Sequence, residues 1–444
     1  MRILLACEFY YPSLGGVQEV MRQVGERLAE RGHRVTVATS YLPERNVREL
    51  KGVSIKEFRI SGNFGRGMTG DIDAYRKYAL TSDFDVFLVK AAQQWTLDAL
   101  LPILDKLKMR TVFIPCGFSG FYDTAYAEYF RRMPEVLREF DQLIFYATDY
   151  RDINFARQHG LTNITIVPNG ASEREFNVPR DPSFRRRHEI PDDAFVILTV
   201  GSLTGFKGHR EVADAFNSAS FGERKAMLLL NGNRLPPPLF TERLTALRDA
   251  LCREYRLRGI AGTLRLVLDK LLARFTPRES ESDSSSGLSG QLSLEVRLAE
   301  INRHCSNKLA RLVDLPRSEL IQAYLNSDLF VFASNIEYSP LVLFEAAAAG
   351  LPFISVPVGN AEEIALWTGA GEICHAIRDD QGYTRVDSAV LAHQISSLAA
   401  SPGKLKTYGE IGRKNWSERF TWDKITDLYE EIFIRLLSEK QEHV

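Results

Sequence analysis

Short apolar runs alternate with segments of helical period along most of this chain, which is the pattern of βα units laid on a parallel sheet. In the first half the runs are Arg2 to Ala6, Arg34 to Thr39, Asp85 to Val89, Arg110 to Ile114, Gln142 to Ala147 and Asn163 to Val167. Between Val17 and Arg31 the apolar residues Val20, Val24 and Leu28 recur at helical spacing and Gly32 supplies a stop, which predicts the crossover helix after the first strand. Pro179, Asp181-Pro182 and Pro191 then break the pattern. It restarts at Phe195 to Val200, Ala226 to Leu230, Leu309 to Val313, Leu329 to Ala333 and Pro352 to Val356. The expected fold is therefore α/β, with two doubly wound domains over residues 1–178 and 179–420.

Two segments depart from the alternation. From about Arg234 to Ser306 a proline run (Pro236 to Pro238), a long Leu/Arg pattern and the serine-rich stretch Ser280 to Ser289 read as an insertion into the second domain, with a flexible tether at the serines. Within it Leu264, Val267, Leu268, Leu271, Leu272 and Phe275 share one helical face, opposite Arg265, Asp269, Lys270 and Arg274. Arg248 to Arg274 carries seven basic and three acidic residues, a local net of +4. Residues 248–275 thus suit either an anionic membrane surface or an apolar face packed on the second domain or a second subunit. At the other end, Ile425, Leu428, Ile432 and Leu436 predict an amphipathic helix over Trp422 to Lys440, part of a terminal segment 421–444 expected to pack back on the first domain.

The 444 residues are 45% apolar, enough to bury real cores, which excludes disorder and a disulfide-stapled miniprotein. Lys and Arg number 56 against 57 Asp and Glu, a net charge of −1, so no global basic field exists to hold nucleic acid. Cys7, Cys116, Cys252, Cys305 and Cys374 are odd in number and scattered, which speaks against a disulfide framework or a zinc site and for a reducing compartment. The first apolar run meets Glu8 before a signal segment would be complete, and no stretch approaches a membrane span. A cytoplasmic location is expected, peripheral to the membrane if residues 248–275 bind it.

Three strand-to-helix loops carry the candidate chemistry. Gly15 and Gly16 follow the first strand, where open α/β sheets bind ligands and where a glycine pair lets a helix N-terminus approach a phosphate; the same pair also suits a plain turn. The full dinucleotide fingerprint is absent, which disfavours a dehydrogenase. Gly201 to Gly208 places Lys207 at the next such loop, as a point charge for a pyrophosphate or simply as an exposed lysine. Glu337 to Gly350 is the most specific stretch: Ser339 is expected as N-cap, Pro340 at the first helical position and Gly350 at the helix end. Glu345 on the second turn can accept two hydrogen bonds from a ribose diol and Glu337 can accept from sugar hydroxyls, unless the two are a helix-dipole pair on a solvated turn.

Gly15-Gly16, Pro168-Asn169-Gly170, Lys207-Gly208, the Glu337/Glu345 pair with its Pro340-Leu341-Val342 setting and the closing Phe420-Thr421-Trp422 together resemble glycosyltransferase family 4. The resemblance covers nearly the whole chain apart from the insertion. It implies the GT-B fold, two Rossmann-like domains facing across a cleft, and transfer of a sugar from a nucleotide donor with retention at the anomeric carbon. It implies that Lys207 and Glu337 are catalytic, and that Gly15, Gly16, Ser202, Lys207, Glu337, Ser339, Pro340, Leu341, Val342 and Glu345 bind the donor. Cys116 and Asn169 are the acceptor-side candidates. The partners implied are a nucleotide-sugar and a saccharide or lipid-linked acceptor in glycan or polysaccharide biosynthesis, with no metal and no cofactor beyond the donor. Three positions depart from the family pattern: Ser202 stands where an arginine is common, Cys116 where a histidine is common, and Asn231-Gly232-Asn233 runs into the insertion. These departures motivate the alternative of a nucleotide-sugar-binding protein without turnover.

Overall fold

A computed structural model of the chain describes residues 1–13, 15–232, 287–379 and 382–441. The basic amphipathic segment 248–275 and most of the serine tether lie outside the described residues. Two parallel sheets organise the rest. The first contains β1 (Arg2–Ala6), β2 (Arg34–Ser40), β3 (Glu49–Leu50), β4 (Val53–Phe58), β7 (Val86–Lys90), β8 (Arg110–Ile114), β9 (Gln142–Phe145) and β10 (Ile164–Ile166). Their order is β10-β9-β8-β7-β1-β2-β4-β3, all parallel except the short edge strand β3. A hairpin of β5 (Ile60–Asn63) and β6 (Gly67–Gly70) stands apart from it.

The second sheet comprises β11 (Phe195–Val200), β12 (Ala226–Asn231), β13 (Lys308–Val313), β14 (Leu329–Phe332), β15 (Phe353–Ser355) and β16 (Gly371–Ile373), in the order β13-β12-β11-β14-β15-β16. That is a doubly wound order, with a topological switch point between β11 and β14, as between β1 and β7 in the first sheet. A second hairpin, β17 (Ile377–Arg378) with β18 (Thr384–Arg385), follows β16.

The apolar runs are continuous because both faces of each sheet are covered. Along β1, Ile3 and Leu5 face the first helix, Gly16–Glu30, while Leu4 and Ala6 face the opposite core. The first face is closed by the last helix of the chain, Trp422–Gln441, through Trp422, Ile425, Tyr429, Ile432, Phe433 and Leu436. Leu428, expected on that face, is 37% exposed, and Tyr429 fills the position inside.

The insertion ends earlier than the sequence suggests. Gly287–His304 is a regular helix, so the tether does not run to Ser289 nor the insertion to Ser306. Leu294, Leu298 and Ile301 recur at helical spacing and are buried in the second core, which makes this the crossover helix into β13. The chain passes between the domains twice, side by side: Ala171 N–H donates to Phe420 O at 3.0 Å, and Trp416 Nε1–H donates to Ala171 O at 3.2 Å.

Candidate active site

The carboxyl end of β11 leads into the loop that presents Lys207. Gly208 ends this loop at φ 68, and a Cβ there would lie 1.9 Å from Ala333 O, so only glycine lets the loop pack against the end of β14. Lys207 Nζ consequently donates to Glu337 Oε1 at 2.5 Å, and Ser334 Oγ donates to the same oxygen at 3.0 Å. His209 braces the loop from below. Burial pushes its pKa down to about 4, so the neutral ring donates from Nε2 to Gly201 O at 3.0 Å. Ser202 lies in the same loop and brings no cation to it.

The helix after β14 runs Leu341–Ala349, one residue shorter at its start than expected. Pro340 is the N-cap in an extended conformation, and Ser339, expected to cap, leaves its Oγ buried and unpartnered while its carbonyl accepts from Asn169 Nδ2 at 3.1 Å. Gly350 ends the helix at φ 66, as its position predicts. Glu345 is 8% exposed and is not on a solvated turn: its Oε1 accepts from Arg317 at 2.6 Å, and Arg317 also donates to Glu175 at 2.6 Å. Val342 packs on the second core, whereas Leu341 looks the other way, its Cδ1 lying 4.0 Å from where a Cβ on Gly16 would stand. Gly15 is the N-cap of the Gly16–Glu30 helix. Thus Gly15-Gly16 and Pro340-Leu341 bring helix starts from the two domains to the same interface.

Tyr338 joins the halves. Its ring lies 5.4 Å from that of Tyr146 and 4.9 Å from that of Tyr150, and its hydroxyl accepts from Tyr146 N–H at 3.0 Å. Gly117, at φ 81, has room only for hydrogen, since a Cβ there would stand 2.9 Å from Tyr338 Cγ. Gly117 N–H donates at 2.7 Å to the Asp152 carboxylate, whose pKa burial raises to about 6. Tyr150 donates to the carbonyl of Glu337 itself at 2.7 Å. The backbone around Glu337 is therefore held from the first domain.

The two acceptor-side candidates both border the Tyr338–Ser339 segment, from different elements of the first domain. Asn169 sits at the domain interface beneath the donor-side helix start, through its bond to Ser339. Cys116 ends β8 at φ 59, and burial lifts its thiol to about 11, which suits packing rather than nucleophilic attack. Beside it is Lys90, 1% exposed, with its Nζ 5.1 Å from the Tyr146 ring and, among the described residues, only the thiols of Cys7 and Cys116 as ionisable neighbours acting on it. Tyr338, Arg317, Asp152, His209 and Lys90 are absent from the sequence-derived site. A lysine closing the otherwise apolar run Val86–Lys90 was the one visible signal. Among the described residues no group of three or more His, Cys, Asp or Glu is arranged to hold a metal ion.

Two family models match the chain, one described as glycosyltransferase family 4 over residues 14–174 and one as glycosyl transferases group 1 over residues 291–414. The chain belongs to the group 1 glycosyltransferases of family 4. This glycosyltransferase is 29% identical to the alpha-maltose-1-phosphate synthase of Mycolicibacterium smegmatis over 27% of its own length and 30% of that protein's. It is 22% identical to the N-acetyl-alpha-D-glucosaminyl L-malate synthase of Bacillus anthracis over 99% of the chain and 98% of the relative. Among solved structures it is similar to the sucrose-phosphate synthase of Thermosynechococcus elongatus, with a TM-score of 0.69, 16% identity and 99% of each chain covered. An Anabaena protein solved in complex with UDP has a TM-score of 0.67 at 14% identity, covering 98% of this chain and 100% of its own. The glycosyltransferase thus has the GT-B fold. No helix among its described residues is long and apolar enough to cross a membrane.

Proposed function

We propose that this glycosyltransferase moves a sugar from a nucleoside-diphosphate donor to a saccharide acceptor with retention of anomeric configuration. The observation that carries the reading is the Lys207–Glu337 pair at 2.5 Å, set beside two facing helix starts and followed within one helix by the buried Glu345. Breaking the glycosyl–phosphate bond builds negative charge on the diphosphate, which a fixed ammonium and helix N-termini stabilise most when that charge is largest. Glu345 accepts from the ribose diol and Glu337 from the donor sugar; as sugar hydroxyls take over Glu337, Lys207 turns to the phosphate. The acceptor oxygen attacks the anomeric carbon on the face the phosphate leaves, the carbon–oxygen bond to phosphate breaks, and the acceptor proton passes to the leaving phosphate oxygen.

Thermal-shift screening against UDP-, GDP-, ADP- and dTDP-sugars identifies the donor through the stabilisation its binding confers. With that donor, Glu345→Ala is expected to weaken binding by about 1.5 to 3 kcal/mol, the loss of a charged acceptor, and calorimetry reads it directly. Unchanged affinity in a folded variant removes the ribose assignment. Lys207→Ala is expected to lower turnover by about 100-fold with a smaller change in donor affinity. If the wild-type chain binds a nucleotide-sugar and neither transfers nor hydrolyses it, the protein is a nucleotide-sugar binder, the reading that Ser202 favours by supplying no second cation.

A further inference from the structure

Among the described residues every exposed Phe or Tyr lies at one edge of the first domain. Phe9 (41% exposed) and Tyr11 (41%) follow β1, Tyr41 (39%) follows β2, Phe64 (37%) tips the β5–β6 hairpin after β4, and Tyr122 (68%) follows β8. Among the described residues none of the exposed large aliphatic side chains belongs to these five loops; Ile377 (64%) lies across from them, in the β17–β18 hairpin of the second domain. A single exposed ring needs no explanation, but five confined to the loops at the carboxyl edge of a doubly wound sheet, where such sheets bind ligands, do.

These loops are knitted into one surface. Gln93 Oε1 accepts from Gly120 N–H at 2.9 Å and its carbonyl accepts from Asn63 Nδ2 at 3.0 Å, tying the Tyr122 loop to the Phe64 hairpin. Arg45 donates to Tyr11 O at 2.6 Å and to Ser40 O at 2.8 Å, tying the Tyr11 loop to the Tyr41 loop. The backbone underneath is strained. Of the six described non-glycine residues at positive φ, four stand at the ends of β7 and β8: Ala91 (72), Gln93 (61), Cys116 (59) and Phe118 (49). Such strain persists where surrounding contacts enforce it, and it gathers at binding sites. From β8 to β2 the edge crosses three inter-strand gaps, about 14 Å, well beyond one sugar ring. Tyr122 reaches the other side of the cleft, 3.8 Å from where a Cβ on Gly382 would stand.

We infer that this edge is an aromatic platform for an extended saccharide, so that the acceptor is an oligosaccharide spanning several rings rather than a single small molecule. The inference rests on the transferase reading above and deepens it. Aromatic faces stack on the apolar C–H faces of pyranose rings, and the hydrogen-bonding groups set among them, Glu8 and Arg66 included, suit ring hydroxyls. A bilayer-docking face would show exposed aliphatic side chains on these same loops, and among the described residues the five loops carry none, Ile377 belonging to the facing hairpin of the second domain.

The test uses the full chain on an array of immobilised mono- to hexasaccharides of several backbones, with vesicles of phosphatidylglycerol and phosphatidylcholine in parallel. Affinity for at least one backbone is expected to rise with chain length, and Phe64→Ala and Tyr122→Ala are each expected to weaken it about tenfold while nucleotide binding stays as in the wild type. Tyr122 is 68% exposed, so its removal leaves the core intact; Phe64 lies 5.6 Å from the buried Tyr129 ring, so an unchanged near-ultraviolet dichroism spectrum accompanies the Phe64→Ala measurement. Absence of saccharide binding, affinity independent of length, or aromatic variants that bind like the wild type would overturn the inference, as would vesicle binding that those variants abolish in place of saccharide binding. If saccharides bind with the expected dependence but no nucleotide-sugar does, the donor reading fails and the platform stands.

Discussion

Lys90 is the side chain least suited to its surroundings. It ends β7 on the face occupied by Tyr146, Cys7 and Cys116, and burial brings its pKa from 10.5 down to about 8. Between those two values the unfolded chain holds a proton that the folded one has released, so the penalty is complete below pH 8, shrinks as pH rises and is gone above 10.5. Lys90→Met is accordingly expected to stabilise the protein by about 2 kcal/mol at pH 7 and by much less at pH 10, as read from urea melts at the two pH values. A variant less stable than wild type at pH 7 would mean that the ammonium has an anionic partner. Lys90 marks the limit of the sequence reading at this scale. Lys207, Glu337 and Glu345 were legible because strand-to-helix loops have a known use, whereas Arg317 and Tyr338 matter through partners such as Glu175 and Tyr146, which chain spacing does not reveal.

At the level of elements, the loop after β14 is anchored on the opposite domain by the Tyr338 ring. Gly117→Ala places a methyl group 2.9 Å from that ring at a φ of 81, and is expected to strain the interface by about 1 to 3 kcal/mol. Turnover should fall further than the affinity for the bare nucleotide, whose proposed ribose contact Glu345 lies in the second domain; X-ray scattering should show the domains further apart. Tyr338→Phe keeps the ring and should give a smaller loss in the same direction. A kcat equal to wild type in both variants would remove Tyr338 from the positioning of Glu337. The apolar strands of both sheets were readable because burial on two faces makes them uniformly hydrophobic. β4 does not read as a strand because Ser54, Lys56 and Glu57 interrupt its apolar residues, and the two hairpins do not because they carry little core. The helix Gly287–His304 reads as part of the insertion because glycine and serine open it, although Leu294, Leu298 and Ile301 mark its buried face.

For the whole molecule, the second domain does not end where its sheet ends, because the last helix completes the core of the first. Its six buried apolar side chains, Trp422, Ile425, Tyr429, Ile432, Phe433 and Leu436, contribute on the order of 10 kcal/mol, comparable to the total stability of a domain. Deleting Trp422–Gln441 should therefore leave the first domain without fixed packing, seen as loss of near-ultraviolet dichroism and gain of dye binding, while the second domain keeps its own core. A truncated chain with a native-like first domain would refute that division. The arrangement also bears on how the protein is made. Residues 1–166 are translated before the second domain, yet the face of their sheet that receives Trp422 stays open until that domain has been made. From residue 166 until the last helix is made, each nascent chain thus exposes an unfinished hydrophobic surface, and the first domain completes its core only after the second has been translated.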